Sequence, residues 1–238
     1  MKKNILEYKN VEIKLDSDLM ISDLSLNITQ GEFVFLIGKT GSGKSSILKS
    51  MYSENKIIKG EAKIASTNLR TINEKEIPYL RRKIGVIFQD FQLLKDRTIY
   101  KNLEFVLNAT GWRNKNKIND RINSCLDKVH ISKLSEKYPS QLSGGQKQKV
   151  AIARSLLNEP EIIIADEPTG NLDPKSSIEI MNILQEINQN GNTIVMATHD
   201  FTLLKKYKGK ILRCKDGKID ELCSTDLNVE TVYQWYQF

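Results

Sequence analysis

A glycine-rich loop between a buried strand and a helix is the feature that most constrains how this chain can fold. Residues 38–45 read GKTGSGKS and fit the pattern G-x-x-x-x-G-K-[ST]. The apolar run Phe33–Ile37 before the loop is typical of a strand buried on both faces, and residues 45–51 after it are predicted to be helical. Such a loop presents backbone N–H groups and the positive end of a helix to one anion. The sequence predicts a phosphate-binding loop rather than a solvated glycine-rich turn, with Lys44 reaching the β- and γ-phosphates and the Ser45 hydroxyl ligating Mg²⁺.

The order of buried strands and helices predicts an α/β fold with a mainly parallel sheet. Further apolar runs that indicate strands lie at residues 84–88, 162–165 and 193–197, with helices between them. Residues 4–15 and 22–28 are also predicted to be strands, and the second of these alternates apolar with polar residues. This alternation is typical of a half-buried antiparallel strand. We therefore expect a parallel α/β core accompanied by an antiparallel β subdomain.

A helical subdomain is predicted at about residues 92–158. Apolar residues recur there at helical spacing, and a third helix is predicted at residues 143–157. About 65 residues of helix is too much for one crossover between neighbouring strands, so we interpret the segment as an inset in the core. One domain would then span residues 1–223. The aromatic tail at residues 224–238 is predicted to be a terminal helix packed on the core, with a docking surface as the alternative.

Two carboxylates end one of the predicted buried strands. Asp166 and Glu167 directly follow the apolar run at residues 162–165. Because ligands of open α/β sheets bind at the carboxyl ends of the strands, Asp166 is expected to hold Mg²⁺ through its water shell. Glu167 is expected to orient or deprotonate an attacking water. A solvated strand end is the alternative for this pair alone, and the phosphate loop in the same chain favours the metal and base interpretation.

A second helix N-terminus suited to an anion is predicted at residues 143–146. Ser143 is a helix-capping residue type, and Gly144 and Gly145 allow a backbone to approach a phosphate closely. One copy of the chain needs only one such cradle for one triphosphate. We therefore interpret the second cradle as facing a nucleotide held by another copy, and an ordinary serine-capped helix start is the alternative.

These motifs together resemble the ATP-binding subunits of ABC transporters. LSGGQ at residues 142–146 is the signature of that family as it stands. The other motifs of the family follow in order, with a glutamine-loop residue at Gln89, a D-loop at residues 171–173 and a histidine at His199. The resemblance covers roughly residues 4–222. It implies a P-loop NTPase core that hydrolyses ATP with Mg²⁺, and a homodimer that forms on ATP binding, with two copies head to tail around two ATP molecules.

The resemblance also implies a role for each residue of the motifs. ATP would be bound by Gly38, Lys39, Thr40, Gly41, Ser42, Gly43, Lys44, Ser45 and Ser46. The second copy would add Ser143, Gly144, Gly145 and Gln146. Catalysis would rest on Glu167, His199, Lys44 and Gln89, and Mg²⁺ on Ser45, Gln89 and Asp166. Asp173 would lie at the dimer interface and would also cap a helix, because a proline follows it.

One position departs from the pattern of the family. The family has an aromatic residue near the end of the first strand that stacks on adenine, and Leu15 stands at that place. Tyr8 lies on the same predicted strand but out of register, so selectivity for adenine is expected to be weak. Lys149 replaces an arginine often found after the signature and keeps its charge. His130, at the end of an amphipathic helix, is predicted to be structural.

The segment around Gln89 narrows the resemblance to one branch of the family. Residues 88–103, FQDFQLLKDRTIYKNL, resemble the FtsE group of cell-division ATPases. That group implies an integral membrane partner of FtsX type and a role in regulating cell-wall hydrolysis during division. Two alternatives stay open: an ATPase for lipoprotein release or macrolide export, and a soluble ABC ATPase that acts on nucleic acid or the ribosome.

Charge, apolar content and cysteine usage fit a protein on the inner face of a cell membrane. The 238 residues include 36 Lys and Arg against 29 Asp and Glu, and this net charge of +7 indicates an anionic partner, which can be a nucleic acid, a nucleotide or an acidic membrane surface. No stretch approaches the roughly 20 apolar residues of a spanning helix, and we expect no export signal. The three cysteines form no C-x-x-C pair, which fits a reducing compartment and argues against a cysteine metal cluster. Together with these features, the family resemblance implies a cytoplasmic protein, peripheral to the inner face of the membrane, without a stable nucleic-acid partner.

Overall fold

The computed structural model describes residues 3–14, 20–215 and 218–222. The ten strands in these residues are β1 (Asn4–Lys14), β2 (Met20–Thr29), β3 (Phe33–Ile37), β4 (Ile57–Ile64), β5 (Thr67–Asn68), β6 (Ile84–Ile87), β7 (Ile162–Asp166), β8 (Thr193–Thr198), β9 (Lys210–Lys215) and β10 (Lys218–Leu222). The seven α-helices in the same residues are α1 (Lys44–Met51), α2 (Ile77–Arg82), α3 (Ile99–Ala109), α4 (Lys115–Lys128), α5 (Gly144–Leu156), α6 (Pro174–Gln189) and α7 (Phe201–Lys206). Leu15 and the tail at residues 224–238 lie outside the described residues.

The larger sheet has six strands in the order β10–β9–β3–β8–β7–β6. The five strands from β9 to β6 are parallel, and β10 pairs antiparallel with β9. Val34 and Leu36 of β3 face one hydrophobic core, and the other three residues of that strand face a second core. A strand that is buried on both faces must be apolar at every position. The prediction of a mainly parallel sheet with a doubly buried β3 is thereby confirmed.

The smaller sheet is antiparallel, in the order β2–β1–β4–β5, and shares a core with α1 and one face of the larger sheet. Leu24, Leu26 and Ile28 of β2 are buried in that core, as their alternation predicts. The sequence pattern does not predict β4, because Gly60 interrupts its apolar residues. Gly60 has φ +86°, and a Cβ there would lie 2.3 Å from the carbonyl oxygen of Asn10 on β1. The close approach of the two strands therefore requires a glycine at this position.

Helices α3, α4 and α5 lie between β6 and β7 along the chain, although these two strands are neighbours in the sheet. Their buried side chains form one continuous core with the second face of the larger sheet and with α6. Each helix begins after a residue whose side chain accepts a backbone N–H: Thr98 for α3, Asn114 for α4 and Ser143 for α5. The segment at residues 92–158 is mainly helical as expected, and its bounds as a subdomain stay a prediction.

The C-terminal ends of β6 and α4 can be compared with the sequence predictions. β6 ends at Ile87, so Phe88 begins the following loop instead of ending the strand as predicted. His130 has φ 59° and is the left-handed residue just beyond α4, where its N–H donates to the carbonyl oxygen of Asp127 at 3.0 Å. Its position agrees with a structural role.

In the part of the chain that the structure describes, no helix combines the length and the apolar content needed to cross a bilayer.

Candidate active site

The predicted phosphate loop runs from the end of β3 to the first residue of α1 and lies over β9. A Cβ at Gly38 would lie 2.4 Å from the carbonyl oxygen of Cys214 on β9, so no larger residue fits there. Gly43 is the N-cap of α1 and has φ 100°, in the left-handed region that favours glycine. These two glycines let the loop curl above the sheet with the N-terminus of α1 at its end, the arrangement that binds anions.

Lys44 is the first residue of α1, and its side chain is buried, which is rare for a lysine. Its ammonium nitrogen Nζ donates to the carbonyl oxygens of Gly38 at 2.8 Å and of Lys39 at 3.0 Å. An ammonium group has three N–H donors. Two of them bind the carbonyl oxygens of the loop, and one remains for a further acceptor. The contact of Lys44 with phosphate stays a prediction.

Asp166 is the last residue of β7 and lies beside the phosphate loop. Burial raises the pKa of its carboxyl group above the ordinary value, whereas a hydrogen bond with Ser45 and the charges of Lys44 and Lys49 act to lower it. Its Oδ1 is buried and has no hydrogen-bond partner among the described residues. A buried carboxylate oxygen without a partner is costly, and a cation removes that cost. Asp166 and Ser45 therefore offer the carboxylate and hydroxyl oxygens that Mg²⁺ takes beside a nucleotide.

Glu167 and His199 lie side by side because β7 and β8 are neighbouring parallel strands. Asp166 is in register with Ala197, so the residues that follow them meet at the same edge of the sheet. His199 Nδ1 lies 2.9 Å from Glu167 Oε2. Glu167 has φ 46°, and its N–H donates to the carbonyl oxygen of Ala197 at 3.1 Å, which fixes the direction of the residue. A carboxylate oriented by an imidazole in this way can accept a proton from water.

Gln89 approaches this pair from the loop after β6, the neighbour of β7. Its amide nitrogen Nε2 lies 3.6 Å from the position that a Cβ on Gly170 would take, and Glu167 Oε2 lies 3.3 Å from the same position. Gln89, Glu167 and His199 thus lie in the loops at the carboxyl ends of three adjacent strands, and their joint role in catalysis stays a prediction. An open cleft of about 920 Å³ begins at Glu167, Gly170 and His199 and extends along α7.

The signature lies at the start of α5 and packs against α6. The Ser143 hydroxyl oxygen accepts the N–H of Gln146 at 3.2 Å, and Gln146 Oε1 accepts the N–H of Ser143 at 3.0 Å. This capping box fixes the beginning of the helix. A Cβ at Gly145 would lie 2.8 Å from Ser176 Oγ on α6, whereas a Cβ at Gly144 would meet only a flexible leucine end at 3.3 Å. The packing of α5 against α6 within one chain therefore favours a glycine at position 145. This requirement is separate from the predicted approach of Gly145 to a phosphate.

The site residues fall into two groups according to the elements that carry them. The first group is the phosphate loop with Gln89 and the residues at the ends of β7 and β8. The second is the signature with Asp173, which caps α6 by accepting the N–H of Ser176 at 3.0 Å. Hydrogen bonds from Ser176 lower the pKa of Asp173. Asp173 caps its helix as predicted, and the action of the signature on the nucleotide of a second copy stays a prediction.

Tyr8 does not offer its ring to a nucleotide base. The side chain is buried under the smaller sheet, and its hydroxyl lies 3.0 Å from Ser50 Oγ on α1. Burial also raises the pKa of the Tyr8 phenol, as expected for a ring inside a core. Tyr8 is thus a core residue that ties β1 to α1, in agreement with its being out of register. Leu15, the residue at the family's stacking position, lies outside the described residues.

Two residues near the site belong to none of the motifs. The Cys214 thiol donates to the carbonyl oxygen of Ser42 at 2.8 Å, so β9 holds the phosphate loop from below. Thr198 is buried, and its hydroxyl oxygen accepts the N–H of Asp200 at 3.0 Å, which shapes the turn that carries His199. A threonine directly before His199 is visible in the sequence as a turn-forming residue. No local sequence pattern marks Cys214, because the pairing of β3 with β9 is what brings it to the phosphate loop.

Comparisons with known proteins identify the family of this chain. The family model of the ABC transporter matches residues 21–170. The cell-division ATP-binding protein FtsE of Bacillus subtilis is 46% identical over 199 residues, which cover 84% of this chain and 87% of the relative. The protein of the same name from Streptococcus pneumoniae serotype 2 is 40% identical over 217 residues, which cover 91% of this chain and 94% of the relative.

Solved structures extend the agreement to the fold. A dimeric, post-hydrolysis state of the ATP-binding cassette MJ0796 bound to ADP and Pi has a TM-score of 0.79 and 35% identity, over 91% of this chain and 97% of that one. The chain therefore belongs to the ABC transporter family, as an ATP-binding subunit that hydrolyses ATP. Within that family, it belongs with the FtsE proteins.

Proposed function

We propose that this chain is the ATPase of an FtsE-type membrane complex, and that it drives an FtsX-like membrane partner to regulate cell-wall hydrolysis during division. The similarity to proteins named for cell division supports the biological role. The observation that supports the catalytic role of individual residues is the 2.9 Å contact between Glu167 and His199. The remaining steps follow from the residues around that contact.

ATP binds first to the phosphate loop. Backbone N–H groups of residues 38–46 and the third N–H donor of Lys44 hold the β- and γ-phosphates. Hydrogen bonds between charged partners contribute about 1.5–3 kcal/mol each. Because Lys44 is already fixed by Gly38 and Lys39, it loses little conformational freedom when the phosphate arrives. The entropic cost of ordering this side chain is thus already incurred before the nucleotide binds.

Ser45, Asp166 and Gln89 are the residues that hold Mg²⁺ beside the phosphates. The partnerless buried Oδ1 of Asp166 supports this assignment. When bound, the ion neutralises charge on the phosphate oxygens. Burial raises the pKa of Asp166, and a cation bound there would favour the ionised carboxylate.

Hydrolysis follows from Glu167 and His199. Glu167 accepts a proton from the attacking water as the water oxygen forms its bond to the γ-phosphorus and the bond to ADP breaks. His199 Nδ1 lies 2.9 Å from Glu167 Oε2, so the imidazole orients the base beside the reacting group. General-base catalysis of this kind contributes on the order of 10²–10⁴ in rate.

A second copy of the chain completes each nucleotide site. The Ser143 oxygen accepts the helix N–H of Gln146, so its O–H remains able to donate to a γ-phosphate of the other copy. The N-terminus of α5 adds the positive end of a 13-residue helix. The dimeric state of MJ0796 with bound ADP and Pi supports this arrangement. ATP would therefore join two copies, and loss of the products after hydrolysis would release them.

The helical inset offers a docking surface for the membrane partner. A shallow cleft of about 290 Å³ lies beside α3 and is lined by Arg97, Phe105 and Tyr138 among others. The Arg97 guanidinium lies 4.8 Å from the centre of the Phe105 ring, and Phe105 and Tyr138 are both exposed. Exposed aromatic residues beside an arginine are typical of interface anchors. A cytoplasmic segment of an integral membrane protein is the partner proposed for this cleft.

The charge of the inset supports a position at the inner face of the membrane. Residues 92–158 hold 13 Lys and Arg against 5 Asp and Glu, whereas the whole chain holds 36 against 29. The entire positive surplus of the chain therefore lies in the inset, the part proposed to contact the membrane partner. An anionic lipid leaflet attracts such a surface, which fits a peripheral protein on the cytoplasmic side.

Co-purification from detergent extracts tests the partner with a matched pair of variants. Phe105→Ala removes the aromatic anchor from the cleft. Tyr79→Ala is the control, because Tyr79 is also exposed and carries Arg82 at 4.9 Å from its ring, but lies on α2 outside the inset. We expect a membrane protein of FtsX type to co-purify with the wild type and with Tyr79→Ala, and to be lost with Phe105→Ala.

The identity of the captured protein separates the remaining functions. A partner with a large extracytoplasmic loop that binds cell-wall hydrolases supports the division role. A lipoprotein-release or macrolide-export partner would move the chain to another branch of the family. A pool bound to DNA or ribosomes without any membrane partner would refute the proposal.

A further inference from the structure

The loop that follows Gln89 is held in a strained backbone conformation. Phe91 has φ 61° and Gln92 has φ 46°, so two consecutive residues with side chains adopt the left-handed conformation. That conformation is unfavourable for residues other than glycine, and it persists only where surrounding contacts enforce it. The contacts that enforce it here lie on another helix.

Arg154, in the last turn of α5, provides these contacts. Its Nη1 donates to the carbonyl oxygen of Gln92 at 2.5 Å, and its Nη2 donates to the carbonyl oxygen of Phe91 at 2.9 Å. Burial lowers the pKa of the Arg154 guanidinium, and the charge of Asp90 opposes that effect. The planar fork of an arginine suits two adjacent carbonyl oxygens, and a lysine can reach only one in the same geometry.

A second polar side chain fixes the other end of the same loop. Asn102 on α3 is buried, accepts the N–H of Leu94 at 2.8 Å, and donates to the carbonyl oxygens of Leu94 and Thr98 at 3.1 Å and 2.9 Å. Gln89 therefore lies between β6 on one side and the backbone held by Arg154 on the other. Its position over Glu167 depends on both.

We infer that Arg154 is the positioning residue of Gln89. The inference rests on the role proposed above for Gln89. Through its two carbonyl contacts, Arg154 fixes the backbone at Phe91 and Gln92, and this backbone in turn fixes where the side chain of Gln89 lies relative to Glu167.

The first test is Arg154→Lys, which keeps the charge and loses one of the two carbonyl contacts. A displacement of about 1 Å at a reacting group can cost on the order of 100-fold in rate, so we expect kcat to fall about 10- to 100-fold. The Kd for ATP should stay within about twofold, because Arg154 makes no contact with the phosphate loop in the described structure. Rates are expressed per titrated ATP site, so partial unfolding does not mimic the effect.

Arg121 is the matched control. It lies on α4 in the same inset, and its Nε and Nη2 donate to the carbonyl oxygens of Leu157 and Leu156, with the first distance 2.9 Å. Arg121→Lys therefore weakens the same type of two-carbonyl contact away from Gln89. We expect it to lower the Tm by a similar amount and to leave kcat unchanged. An equal loss of kcat in both variants would overturn the inference.

A double-mutant cycle with Gln89→Ala gives the decisive readout. If Arg154 acts through Gln89, Arg154→Lys should reduce kcat in the wild type and have no further effect in the Gln89→Ala background. Independent, multiplicative losses would overturn the inference and leave the role of Gln89 intact. If Gln89→Ala alone leaves kcat unchanged, the proposed role of Gln89 fails together with the inference. Arg154→Gln, with a shorter uncharged side chain, repeats the cycle if the lysine variant does not fold.

Discussion

Gly145→Ala is predicted to separate the two reasons for a glycine in the signature. A Cβ at this position would lie 2.8 Å from Ser176 Oγ and 3.0 Å from Ser176 Cβ, so α5 and α6 must shift apart. Overpacking of this kind costs about 1–3 kcal/mol, and alanine regains about 1 kcal/mol over glycine within a helix. The free energy of unfolding should therefore fall by up to about 2 kcal/mol. For a chain of this length, each kcal/mol lowers the Tm by about 2–4 °C.

The assay compares four proteins: the wild type, Gly145→Ala, Ser176→Gly and the double variant. Ser176→Gly removes both atoms that the new Cβ would meet, so the double variant should be no less stable than Ser176→Gly alone. Thermal unfolding without nucleotide measures this packing energy. Steady-state ATP hydrolysis, measured on the same four proteins below their Tm, measures the second role of Gly145, its approach to the phosphate of a second copy.

Stability and activity are predicted to respond differently. In the double variant the stability should recover, whereas hydrolysis should stay low if a glycine at this position is also needed for the N-terminus of α5 to approach the phosphate of the other copy. If hydrolysis recovers together with stability, Gly145 is a packing residue only and the reasoning about phosphate approach is wrong. Gly144→Ala is the stability control, since its Cβ would meet only Leu172 Cδ2 at 3.3 Å.

Further predictions concern the residues under and beside the phosphate loop. Burial raises the pKa of Asp166 above its value in the unfolded chain, so the folded state holds the proton more tightly, and stability is lost as the pH rises through the folded pKa. Without nucleotide at neutral pH, Asp166→Asn should therefore have a higher Tm than the wild type, and this difference should grow as the pH rises from below the unfolded pKa. The variant should also lose Mg²⁺-dependent hydrolysis. A Tm equal to or lower than that of the wild type at neutral pH would contradict the burial argument. Cys214→Ala removes the thiol contact to Ser42 and should raise the KM for ATP several-fold, with partial recovery in Cys214→Ser. Cys125→Ala, in an equally buried position within the inset, should leave the KM unchanged, and identical KM values in the two alanine variants would remove the role given to Cys214.

The sequence predicts those features that depend on local pattern or on the ends of parallel strands. The runs in β3 and β7 are apolar at nearly every position because both faces are buried, so their type was readable directly. The meeting of Glu167 with His199 follows from the rule that loops at the carboxyl ends of adjacent strands converge. Both are consequences of short-range sequence and general topology.

Contacts between segments far apart in sequence could not be predicted in this way. Gly145 against Ser176 and Arg154 against the loop after Gln89 depend on how α5 packs on α6 and over the sheet. From the sequence alone, a glycine at a helix start and an arginine on a solvated helix face are the more common interpretations of these two residues. The sequence pattern does not predict β4 for a related reason: Gly60 in its centre allows the close contact with β1, which lies far away in sequence.

The mass of Glu167→Gln in solution, with and without ATP, shows whether ATP joins two copies of the chain. The substitution keeps the shape of the side chain and removes the base, so ATP should bind and remain uncleaved. By light scattering, the account predicts the monomer mass of 27.2 kDa without nucleotide and twice that mass with ATP and Mg²⁺. Ser143→Ala in the same background should weaken the ATP-dependent dimer. A variant that stays at the monomer mass with saturating ATP, or that dimerises equally without it, would contradict the account of two copies joined by ATP.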